Sequence, residues 1–494
     1  MANKPRVDGE AVATLKQRRR SAEAGVEGTD RSSQAQSGEQ AARTETETKA
    51  AVDAKDASPR KAVWSSGVAF YPPSRKYWRI GRKWYDFEPF LDKHPGGREI
   101  LLLARDRFED CTFAFESHHM NYRKARAIIR KYEVSDELVA AEGLAQRPKE
   151  AGAYSDKSMD STPELLGDEA FYSVLRVRVA EYLRSVGCPD GGPTMTCCAL
   201  FWVTFVAWCL SLCWVVYSGT LVAALAFGFM MTWLGAFGHN WVHQPRYRFW
   251  AYLSLDTVGF SSDAWLREHN LQHHMYTNTP WDNHFKGTDP FLVTDPTVER
   301  NFAQRHIFPN LAPLLLSFGL YANYSAHLID LLKGREKVTV GKLLLPAQIF
   351  ALVYRFGWWG FLLCFIAHMV LGNYYFTLAL MNHNAESCVD TASRNKSRDW
   401  AVAQLHSSAD WDVSCPFLLA GRWLWLNYHT VHHLFPLMDF SHHPAIQSIL
   451  MKTCEEFGVD YTVGEARKIH REMRGTWKEP FSVMQQVLVY AGGI

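Results

Sequence analysis

Residues 197–217 read "CCALFWVTFVAWCLSLCWVVY", a run of 21 residues without a charged side chain. A helix needs about 20 apolar residues to cross the hydrocarbon core of a bilayer. After Ser218-Gly219, a second uncharged run covers residues 220–237 and is long enough to return. The two runs predict a transmembrane hairpin. They disfavour the alternative of two helices buried inside a water-soluble protein.

Further apolar runs predict about four transmembrane helices in all. Residues 356–381 are long enough to span, whereas residues 308–324 and 343–354 are weaker candidates. One of these two is expected to span and the other to lie in the membrane interface, and the sequence does not decide which. If the amino terminus is cytosolic, the chain returns to the cytosol at Gly238 and again near Asn382. The segments after both returns then face the same side.

Eight of the 20 histidines of the chain lie in three clusters just beyond these returns. On a helix, residues three or four apart share a face, so each cluster can direct two ring nitrogens toward one point. Neutral imidazole is a common ligand for iron, copper, nickel and zinc. Eight imidazoles exceed what one ion binds, so the clusters predict a two-metal site rather than surface histidines. The clusters are "HNWVH" with His239 and His243, "HNLQHH" with His269, His273 and His274, and "HTVHH" with His429, His432 and His433.

The three clusters around two predicted hairpins resemble those of the membrane fatty acyl desaturases, over roughly residues 194–455. Residues 273–290, "HHMYTNTPWDNHFKGTDP", are similar to the loop that follows the second cluster in that family. The sequence "MNH" at 381–383 stands where the family supplies one more ligand. The resemblance therefore implies two non-haem iron ions. The nine ligands that it implies are His239, His243, His269, His273, His274, His383, His429, His432 and His433.

Residues 76–97, "KYWRIGRKWYDFEPFLDKHPGG", resemble cytochrome b5, and the similarity extends over about residues 62–134. In that family the histidine of HPGG, here His94, is an axial ligand of haem b. The second ligand lies in "DCTFAFESHH", where His118 and His119 compete and the position of Phe115 favours His119. A haem with two imidazole ligands has no open position for oxygen, so this domain is expected to carry single electrons.

The resemblance implies O2-dependent desaturation of a long-chain, polyunsaturated fatty acyl lipid or acyl-CoA, with a cis double bond and two waters as products. Electrons would come from NADH through a separate NADH-cytochrome b5 reductase and the fused haem. Fusion of the two domains is typical of front-end desaturases, which indicates delta-5 or delta-4 action, with delta-6 as a further option. In that group the third cluster usually begins with glutamine, whereas this chain has His429. Regiochemistry, chain length and head group stay open.

Other functions fit part of this pattern. A sphingolipid long-chain-base desaturase shares the fusion and the clusters, and a lipid hydroxylase would use the same irons. A membrane metal transporter with a haem domain would need polar residues along its spans, and residues 197–237 offer almost only serine, threonine and cysteine before His239. An electron-transfer protein with an inactive iron site is disfavoured by the intact clusters.

The predicted fold is multi-domain: a small α+β cytochrome b5-like haem domain, then an all-α integral membrane domain with a cytosolic helical cap. The boundaries are a disordered tail at 1–61, the haem domain at 62–139, a linker with an amphipathic helix at 140–190, the membrane domain at 191–460 and a carboxy-terminal tail at 461–494. The ten cysteines show no paired spacing, and the formal charge of +2 gives no case for nucleic acid. The expected location is the endoplasmic reticulum membrane, with haem domain and histidines facing the cytosol.

Overall fold

The computed structural model describes residues 60–61, 76–108, 110–144, 165–278, 282, 284, 287–294, 298–334, 336, 338–388 and 399–478. The predicted disordered tail up to residue 59 and the predicted tether at 145–164 lie outside these residues. The last two residues of the predicted tail form β1, Arg60–Lys61, which pairs in parallel with β4, Val298–Glu299.

The haem domain begins with the antiparallel hairpin of β2, Trp78–Ile80, and β3, Lys83–Tyr85. Gly81 takes the left-handed conformation that this tight turn requires, with φ 61°. A 3-10 helix, Glu88–Lys93, leads to His94. Four α-helices then surround the core: α1, Arg98–Arg107; α2, Thr112–His118; α3, Tyr122–Ile129; and α4, Asp136–Ala141. Between α3 and α4 lies a 3-10 turn, Arg130–Tyr132.

The predicted amphipathic helix in the linker is α5, Phe171–Ser185. Its buried face follows the helical spacing of Tyr172, Leu175, Val179 and Leu183, each no more than 1% exposed. This face packs into one core with residues of the haem domain and of the histidine-bearing segments. The helix is therefore part of the packed fold and not an isolated amphipathic segment.

Three helices are long and apolar enough to cross a membrane: α6, Met195–Ser218; α7, Leu221–Val242; and α15, Trp358–Met381. Helix α14, Val340–Phe356, has 17 residues and extends about 25 Å at 1.5 Å per residue, and it is not among these three, so the described residues hold three such helices where about four were predicted. Helices α6 and α7 form one hairpin, and α14 and α15 form a second that packs against α7. The segment at 308–324 is divided instead into α12, Ala312–Ser317, and α13, Gly319–Leu332.

The two hairpin turns meet at the same end of the bundle. The indole Nε1 of Trp359 donates to the carbonyl oxygen of Gly219 at 2.8 Å, and Gly219 holds a left-handed φ of 60°. The other ends of α7 and α15 carry His239 and His383 to a common site. The four helices therefore run as two hairpins, α6 with α7 and α14 with α15, with their turns at the same end.

The remaining elements form a cap over the histidine end of the bundle. Their α-helices are α8, Arg248–Thr257; α9, Ser262–Ala264; α10, His274–Tyr276; α11, Phe302–His306; α16, Trp400–Ser407; α17, Phe417–Ala420; α18, His429–Leu434; α19, His443–Phe457; and α20, Ala466–Lys478. A π-helix covers Trp265–His273. Short 3-10 turns lie at Pro245–Tyr247, Phe308–Asn310, Glu386–Cys388, Gly421–Trp423, Leu426–Tyr428 and Phe440–His442.

The cap extends beyond residue 460, so the first part of the predicted carboxy-terminal tail is folded. Strand β6, Val463–Gly464, pairs in parallel with β5, Asp410–Trp411. In α20, Trp477 is 1% exposed and Thr476 Oγ1 donates to the carbonyl of Asn384 at 3.2 Å. The sequence of this segment is rich in charge, which concealed the buried face of α20.

Candidate metal centre

The first histidine cluster lies where α7 leaves the membrane. His239 is in the last turn of α7, and His243 is its C-cap residue. This end of α7 is fixed by the buried carboxylate of Asp439, whose Oδ2 accepts from Asn240 Nδ2 at 2.7 Å and from Trp241 Nε1 at 2.9 Å. Because Asp439 lies shortly after the third cluster, it joins the first cluster to the third.

The second cluster is carried by the π-helix Trp265–His273 and by His274, the first residue of α10. In an α-helix, residues five apart point in widely different directions, so His269 and His274 could not share one face. The wider winding of a π-helix, with i→i+5 hydrogen bonds and roughly 80° per residue, brings positions i, i+4 and i+5 toward one side. The spacing HxxxHH thus suits π-helical winding, and His269, His273 and His274 all face the site.

The third cluster forms α18, where His429, His432 and His433 stand at positions i, i+3 and i+4 of one helical face. The backbone before it contains Leu424 and Trp425, both in the left-handed region with φ 56°. Stacking of Trp425 on Phe440, with ring centres 4.6 Å apart, fixes this unusual turn.

All nine predicted metal ligands converge at one buried place, in two groups of four with His274 between them. His239 Nε2 lies 2.8 Å from His269 Nε2, and His273 Nε2 lies 3.1 Å from His383 Nε2. His274 Nε2 lies 3.2 Å from His269 Nε2, and its ring stacks on that of His433 at 4.2 Å. One group is His239, His243, His269 and His432, and the other is His273, His383, His429 and His433, each with its ligand atoms within 4.8 Å of one another.

The chemistry of these imidazoles fits metal ligands. None of the nine is more than 8% exposed. Burial lowers the pKa of His383 to about 3, and burial with mutual repulsion holds the pKa of His243, His269 and His432 well below the usual range, so the rings are neutral at pH 7. Neutral imidazole is the form that binds metals.

Several of the ring nitrogens are buried without a hydrogen-bond partner among the described residues. They include both nitrogens of His243, Nδ1 of His429 and Nε2 of His432. Each such group costs about 1–3 kcal/mol unless it is satisfied. Coordination to metal ions accounts for a concentration of unpaired nitrogens that a purely structural core would not tolerate.

Neighbouring groups orient three of the rings. His273 Nδ1 donates to Asp282 Oδ2 at 2.9 Å, His383 Nδ1 donates to the carbonyl of Ser407 at 2.9 Å, and His433 Nδ1 donates to Gln404 Oε1 at 2.9 Å. Each bond leaves Nε2 free to face a metal. Burial would raise the pKa of Asp282, but His273 and the backbone N–H of Asn278 outweigh it and lower the pKa to about 2.

The sequence reasoning missed Asp282 and His284. The ring of His284 stacks on His273 with centres 4.7 Å apart and on His269 at 5.2 Å, so a tenth imidazole lies at the edge of the site. Both residues stand in the segment that resembles the family's loop, and the sequence "WDNH" offered a carboxylate and an imidazole close to the second cluster. Spacing alone could not show that the chain folds back over His273.

In the haem domain, His94 and His119 face each other with ring centres 6.1 Å apart. With metal–nitrogen bonds of about 2 Å on either side, two imidazoles on one iron place their ring centres roughly 6 Å apart. His94 Nδ1 donates to the carbonyl of Gly97 at 3.2 Å and His119 Nδ1 to that of Phe115 at 2.7 Å, so both Nε2 atoms are free. A Cβ at Gly96 would lie 2.8 Å from the His94 ring, so a larger residue at this position would clash with the ring.

His118 is oriented differently. Its Nδ1 lies 3.1 Å from the carbonyl of Ala114 and 2.7 Å from Ser117 Oγ. Burial lowers the pKa of both His118 and His119 to about 4, so both are neutral. Of these two described histidines, His119 is the one whose ring contacts that of His94, which supports His119 as the second haem ligand.

Comparisons with known proteins agree with this geometry. The family described as "Fatty acid desaturase" matches residues 214–464, slightly more than half of the 494 residues, and "Cytochrome b5-like Heme/Steroid binding domain" matches residues 66–136. The chain is 29% identical to an "Acyl-lipid (8-3)-desaturase" of Physcomitrium patens, over 77% of this chain and 83% of the relative. It is 26% identical to "Delta(5) fatty acid desaturase A" of Dictyostelium discoideum, over 78% and 86%. It is also 24% identical to a "Cytochrome b5-related protein" of Drosophila melanogaster, over 83% and 91%.

A cytochrome b5-like domain implies haem, and the desaturase family uses a pair of irons, for which the two histidine groups offer the ligand type. The apolar helices agree with a membrane protein. The chain belongs to the fatty acid desaturase family and is a membrane-bound oxidoreductase with a fused cytochrome b5-like haem domain.

Proposed function

We propose that the chain is a front-end desaturase, which places a cis double bond between an existing double bond and the carboxyl end of a polyunsaturated acyl chain. Delta-5 or delta-4 action fits best, with delta-6 as a further option. The observation that carries the proposal is the convergence of nine buried imidazoles beside a fused haem domain. Relatives named as (8-3)- and delta(5)-desaturases match over most of their length, which supports the regiochemistry.

The proposed metal ligands are the nine imidazoles, four in each group, with His274 completing one of them. A bound pair of irons would activate O2, with two electrons delivered through the haem, so that two hydrogens can be removed from an unactivated alkyl chain. The protein's own task is to hold this chain in place and to exclude water. Trp265 of the cap and Tyr375 of α15 form an aromatic wall beside His239, with ring centres 5.7 Å and 6.4 Å from it. This wall would steer one carbon pair of the acyl chain toward the site.

The proposed electron source is NADH, through a separate NADH-cytochrome b5 reductase and then through the haem held by His94 and His119. The proposed location is the endoplasmic reticulum, with haem domain and histidine groups on the cytosolic side. Both hairpin turns, at Gly219 and Gly357, would then face the lumen.

A glycosylation assay tests this orientation. A flexible spacer carrying one Asn-X-Thr acceptor, inserted after Ser218, should be glycosylated in microsomes and lose its sugar to an endoglycosidase. The same insert at Gly167, on the haem-domain side, should stay unmodified. Glycosylation of the Gly167 insert would contradict the proposed orientation.

The activity is tested by expression in yeast fed a panel of fatty acids, with new double bonds located by mass spectrometry. We expect a double bond on the carboxyl side of an existing one, and loss of this product in His432→Ala, which removes one imidazole from the first group. His470→Ala, at a histidine outside the site, is the matched control. New double bonds in sphingoid bases alone, or hydroxylated products alone, would replace the front-end assignment by one of the two related activities.

A further inference from the structure

The haem domain is seated on the segments that follow the three histidine clusters. The first of these segments contains Arg248, at the start of α8. Its Nη2 donates to the carbonyl of Gly96 at 3.2 Å, in the turn directly after His94. A residue just beyond the first cluster thus holds the loop that carries one proposed haem ligand.

The second segment is Met275 and Tyr276, directly after His274. Ser117 Oγ lies 3.5 Å from Met275 Sδ, and both side chains belong to the buried part of this contact. The Tyr276 ring packs against Phe108 and Phe113 of the haem domain, with centres 5.6 Å and 6.2 Å apart. Helix α2, which leads to His119, therefore rests on the residues that extend the second cluster.

The third segment is reached through α5, whose residues Tyr172 and Arg176 lie one turn apart. The hydroxyl of Tyr172 donates to the carbonyl of Leu434 at 2.6 Å, directly after His433. Arg176 Nη1 donates to the carbonyls of Glu116 at 3.0 Å and His119 at 3.4 Å. One helix therefore binds the segment of a proposed metal ligand and the segment of a proposed haem ligand.

Arg176 is fixed at this position by its surroundings. Its side chain is 0% exposed and its Nη2 lies 2.9 Å from Oε2 of Glu116, which is 2% exposed. The guanidinium lies over the rings of Tyr122, at 4.2 Å, and Tyr172, at 4.5 Å. A buried, planar charge with several partners tolerates only a narrow range of geometries. This contact differs in kind from a flexible tether, which would only raise the local concentration of the donor.

We propose that these contacts, here called the seat of the haem domain, hold that domain in one fixed position for electron transfer to the histidine-held metal pair. Arg176 and Tyr172 are the residues that position it. The inference rests on the proposed function. Each transfer oxidises the haem by one electron and reduces the metal pair by one. Two transfers and two protons, with O2 and two hydrogens of the acyl chain, balance one double bond and two waters.

The test uses the full-length chain, loaded with haem and iron, in lipid nanodiscs. The haem is reduced without oxygen and then mixed with O2 and a polyunsaturated acyl substrate, and haem reoxidation is followed by absorbance. Arg176→Met should slow reoxidation by about tenfold or more, since a small displacement between reacting centres is costly. Haem content, haem midpoint potential and the rate of haem reduction by the reductase should stay unchanged. Slower reoxidation with these three properties unchanged would distinguish a positioning role from a general loss of structure.

Two further variants serve as controls for Arg176→Met. Arg178→Met, two residues along α5, removes an arginine that binds Glu456 of α19 at 2.6 Å and not the haem domain, and should reoxidise like the unmodified chain. Glu116 also pairs with Arg126, at 2.6 Å, so Arg176→Met alone leaves the Glu116 carboxylate with a cationic partner. The pair Glu116→Gln with Arg176→Met removes the carboxylate as well and should be as slow as Arg176→Met alone. Hydrogen exchange on the metal-free chain gives a second readout, with faster exchange expected in α2 and at Met275–Tyr276 for the Arg176 variants.

Reoxidation within about twofold of the unmodified chain in both Arg176 variants would overturn the proposal. So would slowing that merely follows loss of haem or iron. The two hypotheses fail separately. If the unmodified chain forms no double bond in any lipid, the proposed function is wrong, whereas normal product with exchange unchanged in the Arg176 variants contradicts the fixed seat alone.

Discussion

His429 is the residue at which the chain departs from the usual front-end pattern, and the structure gives it a clear place. Its Nε2 lies 3.2 Å from His433 Nε2, within the group that also contains His273 and His383. The Nδ1 atom of His429 has no hydrogen-bond partner among the described residues. Among the described residues, the ring is therefore oriented by packing, and not by a carboxylate or carbonyl bound to Nδ1.

Replacement of His429 tests how strictly imidazole is needed at this position. A glutamine can offer its amide oxygen as a ligand in the same direction, so His429→Gln should keep a substantial part of the activity. His429→Ala leaves an open position and should lower product formation by about tenfold or more. Product per protein in microsomes, with iron per protein measured in parallel, decides between them. Equal loss in both variants would show that imidazole itself is required.

Asp282 tests the neighbouring groups that orient the ligands. Asp282→Asn keeps the size of the side chain but replaces the carboxylate that accepts from His273 Nδ1. Loss of such a partner commonly costs about 10–100-fold in metal affinity or activity. We expect iron content and product to fall together in this variant. Glu456→Gln, at a carboxylate paired with Arg178 away from the metal site, should retain both; an active, fully loaded Asp282→Asn chain would remove this role.

At the scale of elements, the π-helix Trp265–His273 shows why one cluster has the spacing HxxxHH. Helical periodicity predicted the shared face of His269 and His273, as well as that of His429 and His433. It did not predict that His274 would join them, because α-helical geometry places position i+5 away from position i. The winding depends on tertiary contacts such as the bond of Arg267 to Glu336 at 3.1 Å, which joins the π-helix to a distant segment. Such contacts between distant segments cannot be predicted from the local sequence.

The packing of α7 against α15 depends on one small residue. A Cβ at Gly228 would lie 2.5 Å from the carbonyl oxygen of Ala367, so the two backbones touch here. Small residues at such crossings allow membrane helices to approach closely. Gly228→Val should therefore separate the helices that carry His239 and His383, and overpacking of this kind costs about 1–3 kcal/mol.

Thermal unfolding in detergent, with iron content as a second readout, measures the effect of Gly228→Val. The unfolding temperature and the iron content should both decrease. Gly475→Val is the matched control, because a Cβ at Gly475 meets nothing within 4 Å. Unchanged iron content with a lower unfolding temperature would indicate that the crossing supports stability without setting the geometry of the site.

At the scale of the whole molecule, the sequence predicted the domain order, the membrane hairpins and the residues of the candidate site. These features rest on local patterns: uncharged runs, histidine spacing and the HPGG turn. The meeting of the two hairpin turns depends on the contact between Trp359 and Gly219, which joins residues 140 positions apart. The seat of the haem domain likewise depends on single long-range contacts, such as Tyr172 with Leu434. The spacing of residue types along the sequence does not predict contacts of this kind.

The concentration of neutral imidazoles also predicts how the whole fold responds to acid. Burial, with repulsion between neighbouring rings, places the pKa of His269, His274 and His432 well below the ordinary value of 6.5 that applies to the unfolded chain. Between pH 7.5 and 5.5 the unfolded chain therefore takes up protons that the folded chain does not bind. Stability must then fall as the pH falls, by up to about 1.4 kcal/mol per pH unit for each such ring.

Bound metal makes this dependence steeper, because metal binds the folded chain and protons compete for the same nitrogens. We expect the unfolding temperature of the metal-free chain to decrease from pH 7.5 to 5.5, and iron to be lost over the same range in the loaded chain. Replacing His432 by leucine removes one of these imidazoles and should flatten the dependence of the metal-free chain. An unfolding temperature independent of pH in this range would mean that the imidazoles are already solvated, contrary to the burial on which the metal site depends.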